Sequence, residues 1–84
     1  MITVLPFSSL VRKRVRRHRL EKKFATQVAH LVQNPRHPGL NVELLEQRKH
    51  GIYSFRIDRR YRALFIFRPD KTSIEILTIT VHYR

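Results

Sequence analysis

The spacing of apolar residues divides the chain into a helical first half and a strand-forming second half. Met1 to Leu5 is short and rich in β-branched residues, which suit a pleated, half-buried surface, and Pro6 removes the next ladder donor. This predicts a first strand. Ser8 and Ser9 then offer hydroxyls to cap a helix whose apolar positions are Leu10, Val11 and Val15. Leu20, Phe24, Val28, Leu31 and Val32 recur at the intervals that line one helical face, which predicts a second helix. The spacing leaves open whether the two are one bent helix or a helical hairpin. Asn34-Pro35 closes this half, because a residue before proline is pushed out of the α region, and Pro38-Gly39 extends the break into a loop.

Beyond the loop the period changes to two. Gly51 to Ile57 alternates, with Tyr53, Phe55 and Ile57 on one face and Ile52, Ser54 and Arg56 on the other. Asp58-Arg59-Arg60 reads as a short reversal. Tyr61 to Phe67 follows, with Tyr61, Ala63, Phe65 and Phe67 on one face and Arg62, Leu64 and Ile66 on the opposite one. A turn at Arg68-Pro69-Asp70-Lys71-Thr72 leads to a last strand from Ser73 to about His82. Strict alternation there sets Leu77, Ile79 and Val81 against Ile74, Ile76, Thr78, Thr80 and His82. Short reversals make these three strands antiparallel neighbours. The expected fold class is α+β: an N-terminal strand and two helices packed on one face of a small, mainly antiparallel sheet. Tyr53, Phe55, Phe65 and Phe67 are then core, and Arg62 and His82, on the uncovered face, should project toward a partner or substrate.

At 84 residues the chain is expected to be a single domain spanning 1–84, and 42% hydrophobic residues are enough for a packed core. Its 18 Lys+Arg against 6 Asp+Glu give a net charge of +12, which points to a polyanionic partner. Arg12, Lys13, Arg14, Arg16, Arg17, Arg19, Lys22 and Lys23 place eight cations in twelve positions, relieved only by Glu21. Such a run repels itself unless an anion is near, which a polyanionic partner would supply. Arg48, Lys49, Arg56, Arg59 and Arg60 would extend that surface.

No cysteine is present, which excludes thiolate catalysis, disulfides and thiolate zinc sites. With only Gly39 and Gly51, a phosphate-cradling glycine loop is excluded as well. His18, His30, His37, His50 and His82 show no paired-ligand spacing, so no metal and no other cofactor is expected. No apolar run approaches the roughly 18 residues of a membrane span, so a soluble cytoplasmic protein is expected.

Cutting RNA requires no cofactor, because the 2′-hydroxyl is an internal nucleophile. The protein has to take its proton, protonate the departing 5′-oxygen and stabilise charge on the phosphate. Glu43, His50, Arg62 and His82 are residues of the required types, although each could equally meet only solvent or phosphate.

The ordered series Asn34-Pro35-Arg36-His37-Pro38-Gly39-Leu40, Leu44-Leu45, Gly51-Ile52-Tyr53-Ser54-Phe55-Arg56-Ile57, Tyr61-Arg62-Ala63-Leu64-Phe65-Ile66-Phe67, Ile74-Glu75-Ile76-Leu77 and His82-Tyr83 resembles the RelE/ParE superfamily of bacterial toxins. The likeness covers nearly the whole chain and is nearest to the YoeB-type mRNA interferases. It implies a RelE-like fold and a catalytic set of Glu43 as general base, Arg62 as phosphate stabiliser, His82 as general acid and Tyr83 beside it. It further implies the toxin of a type II toxin–antitoxin system that cuts messenger RNA in the ribosomal A site, leaving a cyclic phosphate and a free 5′-hydroxyl. Glu46 competes with Glu43 if the loop register slips, and His50 is a third candidate base, as in histidine-rich YafQ-like members. The implied partners are an acidic cognate antitoxin, the ribosome and its messenger, with operator DNA reached only through the antitoxin and no membrane. Two alternatives share the fold: a ParE-type inhibitor of DNA gyrase without nuclease activity, and a non-catalytic basic RNA-binding module.

Overall fold

The computed structural model of the chain describes residues 2–46 and 51–81, apart from the side chain of Glu46. Arg48, Lys49, His50, His82 and Tyr83 lie outside the described residues. The order is β1 (Thr3–Val4), α1 (Ser9–Arg17), α2 (Glu21–Gln33), a 3₁₀ turn (Pro38–Leu40), β2 (Glu43–Glu46), β3 (Ile52–Arg56), β4 (Tyr61–Phe67) and β5 (Ser73–Val81). The strands form one sheet in the order β1-β5-β4-β3-β2, parallel only between β1 and β5. This is the expected α+β arrangement, with one strand more than the alternation predicted: β2, an edge strand that begins at Glu43.

The helical half is a hairpin. Ser8 Oγ accepts from the Val11 N–H at 3.2 Å and starts α1. Arg19 adopts φ 55°, the Arg19 N–H donates to the Arg16 carbonyl at 3.1 Å, and the Leu20 N–H reaches back to Val15 at 2.9 Å. That pair of bonds is a Schellman motif, closed by contact between buried Leu20 and Val15. Arginine stands where glycine is usual, so the sequence carried no sign of the break. Glu21 then lies in the first turn of α2, where the helix dipole favours an anion.

The helices cover one sheet face. Val11, Val15, Leu20, Phe24 and Leu31 pack on Phe55, Ile57, Ala63, Phe65, Ile74, Ile76 and Ile79. Tyr53 and Phe67 are half-buried against this core, as expected of them. Alternation in β5 is broken, however: Leu64 pairs with Thr78 but Phe65 with Ile76, so Leu77 is an extra residue. The bulge brings Ile74, Ile76 and Ile79 to the same buried face, which corrects the placement of Ile79 opposite the other two.

Asp58 organises the β3–β4 turn. Its Oδ1 accepts from the N–H groups of Arg60 at 2.8 Å and Tyr61 at 2.9 Å, and Lys23 of α2 meets Oδ2 at 3.3 Å. Burial alone would raise this carboxyl, but the two backbone donors and Lys23 together hold it below its usual range. Because the folded value is the lower one, the stabilisation is complete above the ordinary carboxylate range near pH 4 and is lost as pH falls through the native value. Asp58→Ala should therefore lose about 2 kcal/mol in urea unfolding at pH 7 and much less at pH 2. An equal loss at both pH values would contradict the assignment. Among the described residues, no helix is long and apolar enough to cross a membrane.

Candidate active site

The sheet face away from the helices collects the polar residues of β2, β3 and β4. Glu43 pairs with Ser54, Arg56 with Arg62, and Arg62 with Thr80, which sets these side chains side by side across four strands. Arg62 is at the centre of this face. It does not project outward as expected: the residue is 4% exposed. The reason is the added edge strand and the loop entering it, which wall in a guanidinium that hydrogen bonds then hold flat. Arg62 Nε donates to Ser54 Oγ at 2.9 Å, and Nη2 donates to the Asn41 carbonyl and, at 3.4 Å, to that of Ser54.

Glu43 completes the group. Its Oε1 lies 3.4 Å from Arg62 Nη2, with the carboxylate 44% exposed and the guanidinium side chain 5% exposed. Burial lowers the Arg62 pKa, Glu43 opposes that change, and Arg56 across the strand pair adds to it. An arginine remains charged through such a shift. Two like charges directly opposite in a sheet are unfavourable, and Glu43 offsets only one side of the Arg56–Arg62 pair. Among the described residues Arg62 Nη1 has no acceptor. The arrangement is therefore a half-exposed carboxylate beside a cation that hydrogen bonds hold in place. A phosphate can accept from the guanidinium, and the carboxylate can take a proton from a group held against it.

Three supports were not anticipated. Ser54 is one, and its only sign in the sequence is a small polar residue between Tyr53 and Phe55 on the face shared with Arg62. Asn41 is the second, in the left-handed region at φ 45° with its carbonyl turned onto Arg62. The third, Gln27 of α2, donates both amide hydrogens, to the Gly39 carbonyl at 3.0 Å and the Arg56 carbonyl at 2.6 Å. It ties the loop that carries Asn41 and leads into Glu43 of β2 to the end of β3. His37 Nδ1 accepts from the Gly39 N–H at 3.0 Å and its ring stacks on His30 with centroids 4.0 Å apart, steadying the same loop.

The basic run lies elsewhere. Arg12, Lys13, Arg14, Arg16, Arg17, Arg19, Lys22 and Lys23 are exposed on the helices, across the sheet from Arg62. Arg56, Arg59 and Arg60 are exposed at the β3–β4 end of the open face. Glu46 falls in β2, and its side chain is outside the described set.

The architecture has solved counterparts. Over 98% of this chain and 98% of the other, it superimposes on the YoeB dimer from Staphylococcus aureus with a TM-score of 0.62 at 23% identity. The fold is of the RelE/YoeB toxin type. A chain of the RelBE2 toxin–antitoxin complex from Mycobacterium tuberculosis shares it, with a TM-score of 0.57 and 23% identity over 96% of this chain and 98% of that one. No protein-family model and no curated protein matches the sequence. Within this RelE/YoeB-type fold, Glu43, Ser54, Arg56 and Arg62 are gathered on the sheet face that the helices leave open.

Proposed function

We propose that this protein is the toxin of a type II toxin–antitoxin pair and cleaves messenger RNA in the ribosomal decoding site, using its own side chains as acid and base. The observation that carries this reading is the half-exposed Glu43 carboxylate 3.4 Å from the buried Arg62 guanidinium, with Arg56 opposite. A phosphodiester laid against Arg62 brings its flanking 2′-hydroxyl within reach of Glu43. Glu43 takes the hydroxyl proton as the 2′-oxygen bonds to phosphorus. Arg62 and Arg56 neutralise charge on the non-bridging oxygens. The bond from phosphorus to the 5′-oxygen breaks, His82 gives that oxygen its proton, and Tyr83 stacks on a neighbouring base. The products are a 2′,3′-cyclic phosphate and a free 5′-hydroxyl. Glu43 takes the base role ahead of Glu46 and His50 because of its place beside Arg62.

The groove between α1 and α2, about 500 Å³, supports the partner in this reading. Phe7, Val15, Phe24 and Val28 line it and Arg12 and Arg16 flank it, which suits an acidic, amphipathic antitoxin segment that in turn would bind operator DNA. The remaining exposed cations would dock on ribosomal RNA in the cytoplasm.

Mapping 5′ ends of a defined messenger tests the reading, with wild type and His82→Ala, each with and without translating ribosomes. The expected result is cuts only on ribosomes, absent from the variant. Cuts on free RNA would remove the ribosome from the mechanism. No cuts in either condition would overturn the nuclease and favour the gyrase-binding alternative.

A further inference from the structure

Where α1 meets the end of the β4–β5 pair, a cavity of about 250 Å³ is lined by Arg14, His18, Tyr61, Ile79, Thr80 and Val81. Among the described residues its polar side chains are an arginine, a histidine, a tyrosine and a threonine. The groups are held in place. Arg14 Nη1 donates to the Ile79 carbonyl at 3.1 Å, which lays the side chain along β5 and leaves the rest of its donor fork uncommitted among the described residues. His18 Nδ1 and the Tyr61 hydroxyl are hydrogen-bonded at 3.1 Å, and the two rings lie 4.7 Å apart with a 30° tilt. Tyr61 is itself fixed through its backbone N–H to Asp58.

The cavity lies at the same end of the sheet as Arg62 but on the side of α1: Tyr61 and Arg62, consecutive on β4, point to opposite faces, and Thr80, which lines the cavity, is the cross-strand partner of Arg62. Cation, aromatic platform and hydroxyl in one recess are the elements that recognise an unstacked nucleotide: arginine for the phosphate, rings for the base, hydroxyl groups for the ribose. We propose that the Arg14–His18–Tyr61 recess is a subsite for one nucleotide of single-stranded RNA, on a strand that rounds this end of the sheet from the phosphate on Arg62. This deepens the proposed function and rests on it for the second half of that statement. The recess binds the strand and takes no part in bond breaking.

The test is fluorescence anisotropy with a labelled single-stranded RNA hexamer bearing 2′-O-methyl groups throughout. It has no nucleophile, so binding is measured apart from cleavage. At about 0.3 M salt, where non-specific phosphate contacts are weakened, Arg14→Gln should weaken binding about tenfold and Tyr61→Phe about threefold. Arg36→Gln removes one equal charge from an exposed loop away from the recess and should change binding less than twofold. Equal losses in Arg14→Gln and Arg36→Gln would overturn the subsite, as would equal competition by an unlabelled duplex of the same sequence, whose bases are already stacked. Absence of binding by the wild type would overturn it too. Tyr61→Phe keeps the ring and removes only the hydroxyl, so its effect does not depend on loss of folding. If ribosomal cleavage fails while these binding differences hold, the proposed nuclease is wrong and the RNA subsite stands. If cleavage occurs and the differences are absent, the subsite alone is wrong.

Discussion

Arg62→Met should slow messenger cleavage on programmed ribosomes by a factor of about 10² to 10³, the range seen when one preorganised donor to a developing oxyanion is removed. Methionine keeps most of the volume at a position 4% exposed, so the site loses its cation without gaining a large void. The substitution also strips a donor from buried Ser54 Oγ, at about 1 to 3 kcal/mol for a group left buried without a partner, while the Asn41 carbonyl, on an exposed residue, can turn to water. Glu43, being 44% exposed, keeps its solvation and adds little to that cost. Single-turnover cleavage and urea unfolding should therefore be measured together. A folded Arg62→Met protein cutting within tenfold of wild type would show that the guanidinium is structural only.

Phe65→Ala should bring the fold to the edge of unfolding. Phe65 is 1% exposed and its ring meets those of Tyr53, Phe55 and Phe67 at centroid distances of 5.5, 5.8 and 5.7 Å. Deleting a buried phenyl ring costs about 3 to 5 kcal/mol, against roughly 0.05 to 0.15 kcal/mol of stability per residue in native proteins. In a chain of 84 residues that is a large share of the total. Urea denaturation followed by far-ultraviolet circular dichroism should show the cooperative transition moved to much lower urea or lost. A loss below about 1 kcal/mol would mean that the rings do not form a packed core.

The elements whose identity rests on periodicity could be read from the residues alone: α2 from Leu20, Phe24 and Leu31, and β3 and β4 from alternation around Tyr53, Phe55, Ala63 and Phe65. What escaped was set by single residues acting against their type. Arg19 closes a helix in a conformation that favours glycine, and so hid the hairpin. Leu77 slips the register of β5 without any turn residue to mark it. Arg62 has the composition of a surface residue, and only the three-dimensional convergence of Ser54, Asn41 and Glu43 makes its burial possible. Glu43 and Arg62 were proposed from residue type and resemblance. Their proximity depends on an edge strand and a Gln27 clamp that no spacing rule encodes.

The extra residue in β5 divides that strand into two reading frames. On the turn side of Leu77 the even positions 74 and 76 face the helices, and beyond it the odd position 79 does. The phase of everything after Leu77 is therefore counted from Leu77 and not from the β4–β5 turn. Residues added to or removed from that turn would lengthen or shorten an exposed loop, while Thr80 kept its place opposite Arg62. Drawing Leu77 into the ladder would instead rotate the remainder of the strand by half a period, turning Ile79 into solvent and Thr80 into the core, whereas deleting it would leave an unbroken strand with both in place. The bulge at Leu77 thus keeps the frame in which the end of the sheet reaches the Arg62 row.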